Sequence, residues 1–136
     1  MKDKILKLIE LRKEAEPLEK ELDDHVRSVA ARWAKADDLK SGCHSHPSDV
    51  KYIDSWKVDG DSLITVLWDE TWPLGGHDSG VFYFHSKYLY DESLLVEFEK
   101  TATEISQARS RLDKEKKRLA DLKAYEALRV KLNMPR

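Results

Sequence analysis

The chain has 136 residues, 40% hydrophobic and 37% charged, with 24 Lys+Arg against 26 Asp+Glu and a formal charge of −2. That length suits one domain, and the near-balanced charge excludes nucleic-acid binding by bulk electrostatics, since no basic excess exists to displace counterions. Cys43 is the only cysteine, which excludes an intramolecular disulfide and a four-cysteine zinc site.

The opening MKDKILKLIELRKEAE lacks the apolar core and cleavage site of a signal peptide, and no apolar run approaches the ~20 residues of a membrane helix. A cytoplasmic protein with no membrane partner and no direct nucleic-acid contact is expected. Charge is unevenly spread. Residues 1–40 carry 10 basic and 10 acidic side chains, 41–90 carry 3 and 7, and 91–136 carry 11 and 9. The middle is an acidic module and holds all the aromatics except Trp33, Phe98 and Tyr125. The flanks are charge-dense and mixed in sign, as solvated helices are.

Residues 1–40 read as a helix. Leu11, Ala15, Leu18, Leu22, Val26, Val29, Trp33 and Ala36 form an apolar stripe, with one extra step of four between Leu22 and Val26. A strict heptad would put His25 and Arg32 in the seam, so the pattern reads as a stutter. Pro17 lacks an N–H and crowds the preceding turn, which predicts a bend or short break near 16–17. Residues 41–49 read as a linker.

Residues 50–90 read as a three-stranded antiparallel meander. Val50–Val58 and Ser62–Thr71 flank Asp59-Gly60, a strong hairpin signal. A two-residue turn there would set Trp56 opposite Leu63, Ile53 opposite Val66 and Tyr52 opposite Leu67. A loop, Trp72–Gly80, leads to a third strand, Val81–His85, whose apolar residues face both ways. One face should meet a helix and the other a partner or ligand.

Residues 91–133 read as a second long helix, with Phe98, Ile105, Leu112 and Leu119 at seven-residue intervals and Pro135 ending the pattern. The expected fold is α+β: two long antiparallel helices, a coiled-coil-like hairpin, flanking the meander within one domain. Stripes on rods this polar need a partner surface. Self-association is therefore expected, through Leu11, Leu18, Leu22 and Val29 on the first helix and Ile105, Leu112 and Leu119 on the second.

The stretch Trp56-Lys-Val-Asp-Gly-Asp…Val66-Leu-Trp-Asp-Glu-Thr-Trp72…Gly75-Gly…Phe82-Tyr-Phe resembles a small module of uncharacterised accessory proteins of tailed bacteriophages. It covers about a third of the chain, and His85 stands where that module carries a proline. The resemblance implies a phage or prophage origin, and with it a protein that binds and redirects a host protein, including one of a defence system.

Candidate chemistry is sparse. Cys43, His44 and His46, with His77, Asp78 and His85 at a distance, offer metal-ligand types at a spacing that matches no standard finger. A polar linker is the preferred reading, and neither a metal nor a cofactor is expected. Asp69 and Glu70 are neighbours on a strand and point to opposite faces, which argues against paired carboxylate catalysis. Gly-Xaa-Ser-Xaa-Gly, His-Glu-Xaa-Xaa-His and a phosphate loop are all missing from the sequence. Trp56, Trp68, Trp72, Tyr83 and Tyr88 could stack a base, but the module supplies only Lys51, Lys57 and Lys87 for phosphates. The aromatics read mainly as a core, with Trp72-Pro73-Leu74 at an apolar loop tip as the exception.

The expectation is a non-enzymatic, oligomeric inhibitor or adaptor. It would contact its partner through Trp56, Trp72 and Leu74, with Asp59, Asp61, Asp69, Glu70 and Asp78 as an acidic rim. The alternative is a small-molecule or nucleotide-signal binder with sites between subunits.

Overall fold

A computed structural model describes residues 1–132; the expected helix end at Pro135 lies outside the described residues. Helix α1 spans Lys2–Ser41, strands β1, β2 and β3 span Ile53–Asp59, Leu63–Thr71 and His77–His85, a single turn α2 spans Lys87–Tyr90, and helix α3 spans Glu92–Lys131. The class is α+β, with two long helices beside one antiparallel sheet of order β1-β2-β3.

The helices start and stop where backbone chemistry allows. α1 is rich in Lys, Glu, Leu and Ala, strong helix formers. It runs unbroken through Pro17, so the expected break is not seen. Pro17 lies on the side of the helix away from the leucine stripe, where the one lost backbone bond can be made good by water. Gly42 ends α1 at φ 77°, its N–H returning to the Asp38 carbonyl at 2.9 Å; glycine takes that left-handed conformation at no steric cost. Asp91 opens α3, its carboxylate accepting from the Ser93 N–H at 3.0 Å.

The first hairpin departs from its expected register. The turn is Gly60-Asp61-Ser62 rather than Asp59-Gly60, and Asp59 pairs with Leu63, Trp56 with Val66 and Ile53 with Trp68. The shift is an odd number of residues, so it reverses which face of β2 is buried. Ile64, Val66, Trp68 and Glu70 point inward, while Leu63, Leu67 and Asp69 point out. The third strand also begins at His77, four residues before the expected Val81. Gly80 sits inside that strand where an added Cβ would come within 3.0 Å of the Trp68 indole, tighter than ordinary van der Waals contact.

Three antiparallel strands separate the long helices, and the chain reverses at each of the four junctions from α1 to α3, an even number that returns α3 to the direction of α1. The contacts show this. His25 of α1 meets the Leu89 carbonyl just before α3, Arg32 pairs with Glu92 and Glu99, and Arg109 reaches the Leu39 and Lys40 carbonyls. Sequence numbers rise together along both helices, so they lie side by side and parallel. The expected antiparallel hairpin is corrected by this parity.

The overlap is short. The second half of α1 packs on the first half of α3, and both cover the inner face of the sheet. Val26, Val29 and Ala30 meet Ile64, Val66, Phe82, Phe84 and Leu95 in one buried cluster. Trp33 joins the three layers: its ring stacks on Phe82 of the sheet and Phe98 of α3, each at 5.8 Å with interplanar angles of 6° and 5°. The Arg109 guanidinium then closes the overlap, donating to the Leu39 and Lys40 carbonyls at 3.1 and 2.6 Å. A cation there satisfies the orphan acceptors and the negative end of the helix dipole.

Candidate interaction surfaces

Two helical arms leave this body in opposite directions. Residues 2–22 of α1 precede the overlap, and residues 111–131 of α3 follow it. Their stripes lack intramolecular cover: Leu11, Leu18 and Leu22 are 51, 66 and 50% exposed, and Leu112 and Leu119 are 63 and 51% exposed. Ile105 is half-buried within the body's side of α3. Val29, expected to serve self-association, is only 4% exposed and belongs to the monomer's core, because the stutter after Leu22 is where α1 meets the sheet.

The expected partner surface divides into three places. At the β2–β3 end, Trp72, Pro73, Leu74, Gly75 and Gly76 form a tight turn, with the Trp72 N–H donating to the Gly76 carbonyl at 2.8 Å and the Gly75 N–H to the Trp72 carbonyl at 3.0 Å. The Trp72 ring lies directly over Gly76, where a Cβ would clash. Leu74 is left fully exposed at the apex. Asp69, hydrogen-bonded to His77 across the ladder, and Asp78 flank this tip. Asp59 and Asp61 sit at the other end of the sheet, roughly 30 Å away along the nine residues of β2. They cannot join the same small contact.

Trp56 and Glu70 face the interior. The Trp56 indole N–H donates to Asp23 of α1 at 2.8 Å. Glu70 is 2% exposed and accepts from the Ser48 hydroxyl. Trp56 leaves the expected contact and Glu70 its acidic rim, because the true register turns even-numbered residues of β2 and their partners toward α1. Asp69 and Glu70 do point to opposite faces, as strand geometry requires.

Asp23 is held below the ordinary carboxyl value of 3.8 by the Trp56 indole first and the Arg27 guanidinium second. Arg27 in turn donates to the Ile53 and Asp54 carbonyls at 2.5 and 2.9 Å, beside the irregularity at the start of β1. The group with a lowered folded pKa contributes stability above the unfolded value and loses it as pH falls through the folded one. Asp23→Asn is therefore expected to flatten the stability profile below about pH 4, read as urea midpoints across an acid series. A profile identical to the parent would remove Asp23 from the acid transition.

The residues considered for metal binding separate. Cys43 is exposed, His44 leans toward Asp38, and His46 meets Asp37 at 2.8 Å while packing on Phe82 and Trp33. His85 accepts from the Lys87 N–H at 3.0 Å. Among the described residues no group of three or more His, Cys, Asp or Glu is placed to hold a metal ion. No described helix is long and apolar enough to cross a membrane.

A groove of about 950 Å³ runs between the second half of α1, the 42–50 linker and Arg109. Its cations are mostly engaged: Arg27 by Asp23 and β1, Arg32 by Glu92 and Glu99, and Arg109 by the end of α1. Lys35 is the remaining lining cation, and Asp24, Asp38 and Asp49 oppose it. This lining disfavours a phosphate-bearing ligand.

The outer sheet face, with Leu63, Leu67, Val81 and Tyr83 exposed, is the other apolar surface. Alternation in Val81-Phe82-Tyr83-Phe84 was the signal for it, and only Phe82 and Phe84 turn inward. No protein-family model matches the chain, and neither a curated protein nor a solved structure matches it.

Proposed function

We propose that the protein is a non-enzymatic, self-associating interaction protein: its helical arms assemble copies of the chain, and the tip of its sheet engages a second protein. One observation carries this reading. The leucines of both arms stand half or more exposed on helices that the fold holds clear of the body, and long apolar stripes of this kind mark association surfaces. The tip at Trp72 and Leu74 supports the second half of the reading, as a rigid apolar apex with carboxylates beside it. With the resemblance to phage accessory modules, the proposed partner is a protein of the host cell, its defence proteins included, and the activity that of an inhibitor or adaptor in the host cytoplasm.

The test is the absolute mass by light scattering over a concentration series. Masses above the 15.8 kDa of one chain, rising with concentration, are expected. A concentration-independent 15.8 kDa species would overturn the self-association. For the tip, Trp72→Ala with Leu74→Ala should leave the thermal midpoint nearly unchanged, as exposed sites do, while removing the partner recovered by the parent chain from a host lysate. Equal recovery by both would take the tip out of the contact.

A further inference from the structure

Which arm meets which, and in what direction, is written in the charge of α1. Residues 2–13 carry Lys2, Lys4, Lys7, Arg12 and Lys13 against Asp3 and Glu10, a net +3. Residues 14–22 carry Glu14, Glu16, Glu19 and Glu21 against Lys20, a net −3. The arm is thus divided into a basic outer half and an acidic inner half, meeting near its midpoint. Leu8, Leu11, Ala15, Leu18 and Leu22 recur at steps of three and four, which places them on one side of the helix. Pro17 falls on the opposite side, where it does not obstruct a facing helix.

We propose that residues 2–22 of α1 recognise the same segment of a second copy, packed antiparallel about a two-fold axis near residue 13. The proposal rests on the self-association reading and specifies its interface. Antiparallel pairing sets each basic half against an acidic half, twice over, whereas parallel pairing sets like against like along the whole arm. In the register that centres the dyad at residue 13, Leu8 packs near Leu18 of the partner subunit and Leu11 near Ala15 of the partner subunit. Leu22 lies by Lys4 of the partner subunit, and Lys7 faces Glu21 of the partner subunit. The like pairs fall on the dyad itself, where Arg12 and Glu14 each meet their own copies on opposite flanks of the seam.

The other arm does not serve this role. Residues 111–131 of α3 hold eight basic and four acidic side chains, a net +4 with no division into halves of opposite sign. Two such arms repel. The α1 pairing is isologous and by itself closes at two copies; the fold keeps both α3 arms at the far ends of that dimer, where their exposed leucines are left for further association.

The test uses the full chain. Wild-type protein should give a dimer whose affinity falls as salt is raised. Glu14→Lys, Glu16→Lys, Glu19→Lys and Glu21→Lys together should weaken it at least about tenfold, and so should Lys4→Glu, Lys7→Glu, Arg12→Glu and Lys13→Glu together. Mixing the two variants should restore a dimer, which also shows that both are folded.

Direction is read by disulfide trapping in a Cys43→Ser background. Lys4→Cys and Leu22→Cys chains should cross-link when mixed and neither should cross-link with itself. A wild-type chain that stays at 15.8 kDa at every concentration sinks the self-association reading together with this proposal. A dimer indifferent to the charge reversals, or one in which Leu22→Cys cross-links to itself, leaves self-association standing and overturns the antiparallel α1 pairing.

Discussion

Replacing Trp33 by Ala is expected to remove about 3 kcal/mol of folding stability, the low end of the range for truncating a large aromatic, because Trp33 is partly rather than fully buried against the core. Trp33 is where the sheet, α1 and α3 meet. Its ring lies flat against Phe82 and Phe98, with Phe84 6.1 Å away. Truncation would open a gap bounded by three aromatics on two elements, β3 and α3, that cannot all close on it at once. Domains of this size are stable by about 5–15 kcal/mol, so the loss is a large share of the total. Urea unfolding followed by tryptophan-independent circular dichroism is the measurement. Trp33→Phe keeps the stacking and should recover much of the loss. A loss below about 1 kcal/mol for the alanine variant, the size of an ordinary surface change, would mean that the layers hold without this stack.

Leu95 and Leu119 give the second large effect as a contrast. Both are leucines on α3, and local sequence does not tell them apart. Leu95 is 1% exposed beneath the sheet, and Leu119 is 51% exposed on the arm. Leu95→Ala is expected to cost about 2–5 kcal/mol. Leu119→Ala should change the stability of the monomer by no more than about 0.5 kcal/mol. Chemical denaturation at a low protein concentration, where assembly does not contribute, separates the two. Equal losses at both positions would place the α3 arm in the body's core.

These contrasts show what a linear pattern can carry. The stripe from Leu11 to Ala36 and the repeat from Phe98 to Leu119 marked two long helices, because a 3.6-residue period is a local property. Neither pattern says where along a helix the covering layer ends, since the same leucine spacing continues past the last contact. The direction of α3 was open to deduction from the count of three strands, a constraint of topology that periodicity alone does not express.

The register of β1 on β2 was lost to one residue pair. Asp-Gly favours a two-residue turn, but keeping Val66 and Trp68 on the buried face requires the longer one, and burial outweighs the turn preference. The expected register set Trp56 and Glu70 on opposite faces, whereas the true one turns both toward α1. The start of β3 was hidden by Gly80, which reads as a loop residue until the Trp68 indole across the ladder explains it. Trp72 and Leu74 were legible, because apolar residues bracketed by Pro and Gly have little else to do than form an exposed turn.

The staggered, parallel overlap of α1 and α3 also governs how the molecule tumbles. Each helix of 40 residues is about 60 Å long at 1.5 Å per residue. They overlap only from about His25 to the end of α1, a stretch of roughly 25 Å, so a single chain measures close to 95 Å from end to end. A compact chain of this length would have a radius of gyration near 14 Å, and a rod of that extent has about twice as much. The frictional drag of one copy is accordingly that of a much heavier sphere. On a gel-filtration column calibrated with globular standards, a lone chain elutes early enough to pass for an oligomer, and a true dimer for something larger still.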